Sequence, residues 1–363
     1  MTLTILLIVL AAIVFYTNFH PVFGGKISKK QKNEFENLPN YRNGRFINQI
    51  ETPMDMNLVD GIKILRELNR NKKEREPQKS LPVMKLDSTA IARREKNRVT
   101  WFGHSTFLVE LDEKIILIDP MFSLRASPLR IFGPKRYTME FPIALEKLPE
   151  IDIVLISHDH YDHLDRKSLC KLKDKTRRFI VPLGVENHLL KWGVDPAKIT
   201  SLNWWDSTMA ADIGFIAAPA RHFSGRKTGD RFQTLWCSWV IQGQTHQIYY
   251  SGDSAYGPHF RQIFEKFGKF DLALLECGQY NVKWRSVHML PEETVQAALD
   301  LQTQIFMPIH WAGFTLSVHS WTEPAERVTA EAKKLNAVIT TPLIGQSLDL
   351  NENIFPRENW WEK

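Results

Sequence analysis

The sequence predicts an α/β body with buried sheets, entered through an apolar N-terminal segment and a basic extension. Three observations carry this reading. From residue 98 onward, short apolar or alternating runs recur: "STFLVELD", "KIILIDP", "IDIVLISH", "QIYYSGD", "FDLALLEC" and "QIFMPIH". Such runs read as strands. Helix-patterned stretches stand between them, the alternation expected of sheets covered by helices. Third, the most apolar of these runs opens directly into "SHDHYDHLD", residues 157 to 165, where three histidines and three aspartates share nine positions.

Residues 3 to 19, "LTILLIVLAAIVFYTNF", carry no charge. The run is slightly short of the ~20 residues that span a bilayer. No Lys or Arg precedes it, and the following "NFHPVFGGK" is a poor cleavage site. Residues 1–22 are therefore read as a membrane anchor in preference to a removed signal. Lys26, Lys29, Lys30 and Lys32 follow. By the positive-inside tendency the body is expected on the cytoplasmic side of a membrane.

Residues 23–97 form a polar extension with basic clusters "GGKISKKQK", "RNKKEREPQK" and "ARREKNR". A basic flank fits an anionic membrane surface or nucleic acid, and equally a solvated segment. Within it, "MDMNLVDGIKILRELNRNKKE" repeats apolar positions at helical spacing and predicts one helix.

Residues 98–350 are read as the main domain and residues 351–363 as a tail. Helices are predicted at "VENHLLKWG" and "YGPHFRQIFEKFG", each closed by Gly. Two more are predicted at "LPEETVQAALDLQ" and "TEPAERVTAEAKKLN", each with Pro and acids in its first turn. The length, 363 residues, suits one large domain or two ordinary ones. The apolar fraction of 43% and charged fraction of 24% are those of a folded body, with a net charge of +6. Three scattered cysteines without a CxxC pair exclude a disulfide framework and point to a reducing compartment.

The dense segment is metal-ligand chemistry. His158, His160, Asp162 and His163 sit on a loop whose base is held by a buried strand, so their side chains can converge. Imidazole and carboxylate suit zinc and similar divalent ions. Four such groups from one loop suit two ions better than one, with His158 and His160 facing one and Asp162 and His163 the other. His222 in "APARHFSGR", Asp253 in "YYSGDSAYG" and His310 in "FMPIHWAG" each follow an apolar run and complete the set. Asp253 could bridge both ions through its two oxygens.

With these residues in view, the sequence resembles the metallo-β-lactamase superfamily: its H-x-H-x-D-H motif, later His, bridging Asp and final His match the seven residues in order. The resemblance implies an αββα sandwich with two zinc ions at the edge between the sheets. "TWFGHSTFLVE", "IDPMFSLRASPLRIFGPKRY", "FIVPLGVEN", "NWWD", "LWCSWVI", "GDSAYGPHF" and "HMLPEETV" follow in sequence. Over roughly residues 98 to 320 they resemble the N-acyl-phosphatidylethanolamine-hydrolysing phospholipase D family. That resemblance implies hydrolysis of a phosphodiester by a metal-bridging hydroxide, releasing an N-acylethanolamine and phosphatidic acid. It gives Asp162 and His288 catalytic roles, one orienting the attacking oxygen and the other contacting phosphate or moving a proton. His104 in "WFGHS" and His319 in "SVHSW" are expected beside the site, supporting the metals or the substrate.

Trp204, Trp205, Trp236, Trp239, Trp284, Trp311 and Trp321 are available to core or to an apolar substrate. A membrane phospholipid is the expected partner, with membrane association, no nucleic acid, and a homodimer left open. Two other enzyme readings, a lactonase and a nuclease, share the metal motif. A reading of another class is a membrane-anchored binding protein without catalysis.

Overall fold

A computed structural model describes the chain apart from residues 1–4, 7–13, 55–57, 71–72, 130, 353–354 and 363. Half of the anchor expected at residues 1–22, residues 1–4 and 7–13, therefore lies outside the described residues. Among the described residues, no helix is long and apolar enough to cross a membrane.

The strands are β1 (Tyr41–Arg42), β2 (Arg45–Phe46), β3 (Arg98–Trp101), β4 (Phe107–Leu111), β5 (Lys114–Ile118), β6 (Ile151–Leu155), β7 (Thr176–Pro182), β8 (Ile199–Leu202), β9 (Ser207–Ala210), β10 (Ile213–Ala218), β11 (Ser238–Gln242), β12 (Gln247–Tyr250), β13 (Leu272–Glu276), β14 (Ile305–Ile309) and β15 (Ser347–Asp349). Beyond the small β1–β2 hairpin they form two mixed sheets, ordered β15-β3-β4-β5-β6-β7-β8 and β14-β13-β12-β11-β10-β9. In the first, β5, β6, β7 and β8 run parallel. In the second, β12, β13 and β14 do. Parallel strands are covered on both faces, which is why β5, β6, β13 and β14 are mainly apolar and do not alternate, while β7 and β8 toward the sheet edge carry Arg177, Arg178, Thr200 and Ser201.

The principal helices are α1 (Lys29–Phe35), α2 (Leu58–Arg70), α3 (Ser88–Ala92), α4 (Arg166–Leu172), α5 (Glu186–Lys191), α6 (His259–Phe267), α7 (Pro291–Asp300) and α8 (Glu323–Lys334). Their ends follow local chemistry. Asp165 caps α4 by accepting from the amides of Lys167 and Ser168. Pro291 opens α7, and Glu293 reaches back to the Leu290 amide at 2.9 Å. Gly268, at φ 76°, closes α6.

Successive side chains point to opposite faces of a strand, and this sorts the core into layers. Between the sheets, Val109, Ile116, Ile153 and Leu155 meet Trp239, Ile241, Tyr250 and Leu274. On the outside of the first sheet, Leu117, Val154 and Phe179 pack on Leu169, Leu172 and Leu189 of α4 and α5. Outside the second, Val240, Tyr249 and Ala273 pack on Phe260, Ile263, Val295 and Val328 of α6, α7 and α8. The layers run α, β, β, α, as the resemblance implied.

Parts of the extension pack against this body. Phe35, Tyr41 and Phe46 are buried in the inter-sheet core. So are Trp360 and Trp361 of the segment set apart as a tail, and both rings meet Trp311 at 5.3 and 5.4 Å. The segment looks like a tail in sequence because nothing near it is periodic; only its two tryptophans carry the packing.

Leu117 is fully buried in a parallel strand. Leu117→Ala removes its contacts and leaves a cavity, and should cost about 2–5 kcal/mol. A urea unfolding midpoint equal to that of the parent chain would contradict this placement.

Candidate metal centre

The topology gathers the site before any side chain is considered. β3, β5 and β6 run in one direction in the first sheet, and β10, β12, β13 and β14 share one direction in the second. Their C-terminal ends feed the segments bearing His104, Asp119 and His158–His163, and His222, Asp253, Glu276 and His310.

Two clusters result. His158, His160, His222 and Asp253 bring one ligand atom each within 4.8 Å of one another, and so do His104, Asp162, His163 and His310. In the first, His158 Nε2 lies 2.9 Å from His160 Nδ1, which lies 3.2 Å from His222 Nε2. Asp253 joins the two. Its Oδ2 is 3.8 Å from His158 and 3.7 Å from His222, while its Oδ1 is 3.1 Å from both His163 and His310. Every one of these residues except His160 is buried, and His160 is half-buried. His288 adds a third grouping with Asp253 and His310.

These atoms fit divalent cations. His163 Nε2 and Asp253 Oδ1 are buried and face each other at 3.1 Å without forming an aligned hydrogen bond, a costly state that a cation would relieve. Burial holds the imidazoles of His158, His160, His222 and His310 below their usual range, in the neutral form that ligates. Burial pushes the carboxyls of Asp162 and Asp253 upward, but the neighbouring imidazoles, His163 foremost, overrule it and keep both ionised. Two His/Asp clusters sharing one carboxylate are what a binuclear centre needs.

Outer partners aim the rings. His222 Nδ1 is 2.8 Å from the Val287 carbonyl, leaving Nε2 for the cluster. His310 Nδ1 is 3.0 Å from the Ser105 hydroxyl. His163 Nδ1 is 2.7 Å from Asp119 Oδ2. Asp119 also accepts from the Ser157 amide, the Ser157 hydroxyl and the Tyr250 hydroxyl, at 2.8, 2.5 and 2.5 Å. The motif loop is held from the other side by Arg226, which donates to the carbonyls of Asp159 and Leu164.

The remaining candidates separate. His104 reaches the centre, its Nε2 2.8 Å from Asp162 Oδ2. His288 lines the cavity beside the clusters, and its Nδ1 bonds Glu276 Oε1. Burial raises Glu276 to about 8 against the pull of His288, and Glu276 in turn lifts His288 to about 9 against its own burial, so the pair holds a proton between them. His319 is not brought to the centre. It stacks on Tyr280 at 4.4 Å and faces a separate cavity with Glu323 and Arg327, because its segment turns away into α8.

A cavity of about 350 Å³ opens on the centre, walled by Phe223, Trp284, Val287 and Leu316 with Arg231 and Lys283 at its edge. Of the tryptophans named from sequence, Trp284 faces this cavity. Trp204, Trp236, Trp239 and Trp311 are core.

Asp119 and Glu276 were not singled out from sequence. Each closes an apolar run with one carboxylate, in "ILID" and "LALLE". A charge closing such a run is the signal that was available.

The family model for the β-lactamase superfamily domain matches residues 114–311. An uncharacterized protein of Mycobacterium tuberculosis is 42% identical over 323 residues, covering 86% of this chain and 85% of that protein. The N-acyl-phosphatidylethanolamine-hydrolyzing phospholipase D 1 of Caenorhabditis elegans is 31% identical over 262 residues, 69% of this chain and 73% of the enzyme. Among solved structures, a possible metal-dependent hydrolase of Veillonella parvula superposes with a TM-score of 0.57 over 70% of this chain and 99% of its own, at 13% identity. That likeness speaks for the fold.

Asp119→Asn should lower zinc affinity about 10–100-fold while the fold persists, the usual effect of removing an outer partner. A zinc-buffered titration that gives the parent affinity would show that Asp119 does not support the metals.

Proposed function

The chain belongs to the β-lactamase superfamily and its His/Asp centre is that of a metal-dependent hydrolase, and we propose that the bond it cleaves is the phosphodiester of an N-acylated phosphatidylethanolamine. The products are an N-acylethanolamine and phosphatidic acid. The observation that carries this reading is a pair of His/Asp clusters opening onto a cavity with apolar walls and Arg231 in its lining. Phe223, Trp284, Val287 and Leu316 offer a wall for an acyl chain. Arg231 lies over the Phe223 ring at 5.2 Å and, among the described residues, forms no ion pair. Lys283, by contrast, is paired with Asp60 at 2.7 Å. The 31% identity to an enzyme named for this reaction supports the same choice.

His158, His160, His222, Asp162, His163 and His310 would hold two divalent ions, zinc foremost, with Asp253 between them. Such ions supply Lewis acidity at phosphate oxygens and an acidified water. The chain's own groups do the rest. Asp162, fixed by His104, presents its carboxylate to the cavity as an acceptor that orients the attacking water. With Nδ1 engaged by Glu276, His288 has Nε2 free to carry a proton to the departing ethanolamide oxygen. Phosphorus gains the water oxygen and loses the bond to that leaving oxygen.

The same reading places the protein at the cytoplasmic face of a membrane. Phe15 and Phe19 are 66% exposed, and Ile131 and Phe132 are 73% and 65% exposed. The two segments are joined where the Tyr16 hydroxyl donates to the Pro128 carbonyl at 3.1 Å. Apolar side chains beside Lys135 and the lysines after residue 25 suit an anionic bilayer.

Hydrolysis of N-acyl-phosphatidylethanolamine should exceed that of a lactone or of single-stranded RNA, and should stop on chelation and return with zinc. Asp162→Asn should remove activity with little change in thermal midpoint. His288→Ala should lower kcat about 10²-fold or more. Turnover of the lactone or RNA instead would replace the substrate, and unchanged cellular function after Asp162→Asn would favour a non-catalytic binding protein. Ile131→Ser with Phe132→Ser should reduce sedimentation with vesicles containing phosphatidylglycerol; unchanged sedimentation would remove this surface from the membrane contact.

A further inference from the structure

We propose that the N-terminal extension is a working part of the metal centre, with Asn48 the positioning residue for the ion held by His158, His160 and His222. This goes beyond the substrate reading and does not depend on which bond is cleaved. Asn48 lies well outside residues 114–311, the span that matches the superfamily.

His222 sits on an irregular segment between β10 and β11, where no ladder satisfies its main chain. Asn48 does so instead. Its Nδ2 donates to the His222 carbonyl at 2.8 Å, and its Oδ1 accepts from the His222 amide at 3.1 Å. One side-chain amide thus takes both backbone groups of one ligand, as a neighbouring strand would. The same Oδ1 accepts from Trp236 Nε1 at 3.1 Å, and that indole also donates to the Ala220 carbonyl at 2.9 Å. The amide is therefore tied to the body on two sides of His222. With the ring turned by the Val287 carbonyl, main chain and imidazole are both fixed before an ion arrives.

The extension is anchored on either side of Asn48. The Phe46 amide donates to the Phe232 carbonyl at 2.9 Å, and Phe46 is 1% exposed. Arg221 donates to the Glu51 carbonyl at 2.8 Å and to the Thr52 hydroxyl at 3.2 Å. The Ser286 hydroxyl donates to the Pro53 carbonyl. Residues 46–53 thus strap together the segment carrying His222 and the segment carrying His288, and Met54 continues into the cavity wall. A leucine at position 48 has similar bulk but neither donor nor acceptor, so it leaves a buried amide and carbonyl unpaired and lets the His222 segment move.

The test uses the full chain and reads metal binding. Zinc affinity and stoichiometry are measured in zinc-buffered titrations of the parent, Asn48→Leu, Asn48→Asp and Gln49→Ala, the last an exposed neighbour on the same strap. The metal-free thermal midpoint is recorded for each, and Co²⁺ absorption shows which of the two sites has changed. Asn48→Leu should weaken one of two ions about 10-fold or more and leave the other at parent affinity, with Gln49→Ala unchanged. Asn48→Asp keeps the acceptor and loses the donor, and should weaken the same ion by a smaller factor. If Asn48→Leu does not fold, Asn48→Asp carries the test alone. Parent affinity for both ions in the Asn48 variants, equal weakening of both ions, or no zinc bound by the parent chain would overturn the proposal. None of these readouts uses a substrate, so a wrong choice of lipid leaves the result intact.

Discussion

A carboxylate that is 3% exposed, with one oxygen turned to each of two imidazole groups, is the constraint on which this molecule is organised. Asp253 cannot remain ionised in such a place without positive charge close by. His163, held charged by the carboxylates around it, supplies part of it, while burial keeps His158, His222 and His310 neutral. Divalent cations resolve both problems, since they balance the carboxylates and occupy the nitrogen lone pairs that now face one another. The fold is the means of keeping these groups where they would not otherwise stay.

That means is largely the shared direction of the strands. Each sheet delivers its ligand-bearing turns at one edge, and the packing between the sheets brings the two edges together. Packing of Val109 and Ile153 against Trp239 and Tyr250 is therefore what sets the distance from the motif loop to Asp253 and His310. The hydrogen bonds from Asp119, Val287 and Asn48 work at a finer scale. They decide which nitrogen of each ring faces inward and how far each turn can drift.

Much of this arrangement was legible because chemistry and pattern coincide. His158 through His163 are contiguous and follow an apolar run, so one short window shows both the ligands and the strand that holds them. His222, Asp253 and His310 are isolated, but each ends a similar run. The four-layer sandwich came from family likeness; periodicity gave strands and helices without their order. Asp119 and Glu276 escaped notice because a single acid at a strand end has many ordinary explanations. Asn48 was invisible for another reason. It acts on the main chain of a residue 174 positions away, and an asparagine in a polar stretch carries no mark of that. Trp360 and Trp361 give no periodic signal, because two aromatic side chains can anchor a segment that has no repeating pattern.

One backbone feature bears on how such a site ages under mutation. His104 and His310 both hold positive φ, 56° and 66°, and their main chains bond each other where the His310 amide donates to the His104 carbonyl at 3.0 Å. Glycine adopts that conformation at no steric cost, whereas histidine does not. At both positions the imidazole is retained against the preference of the chain that carries it. Glycine at either position would relax the backbone but empty a buried place beside Asp162, so the fold cannot shed the strain without losing packing.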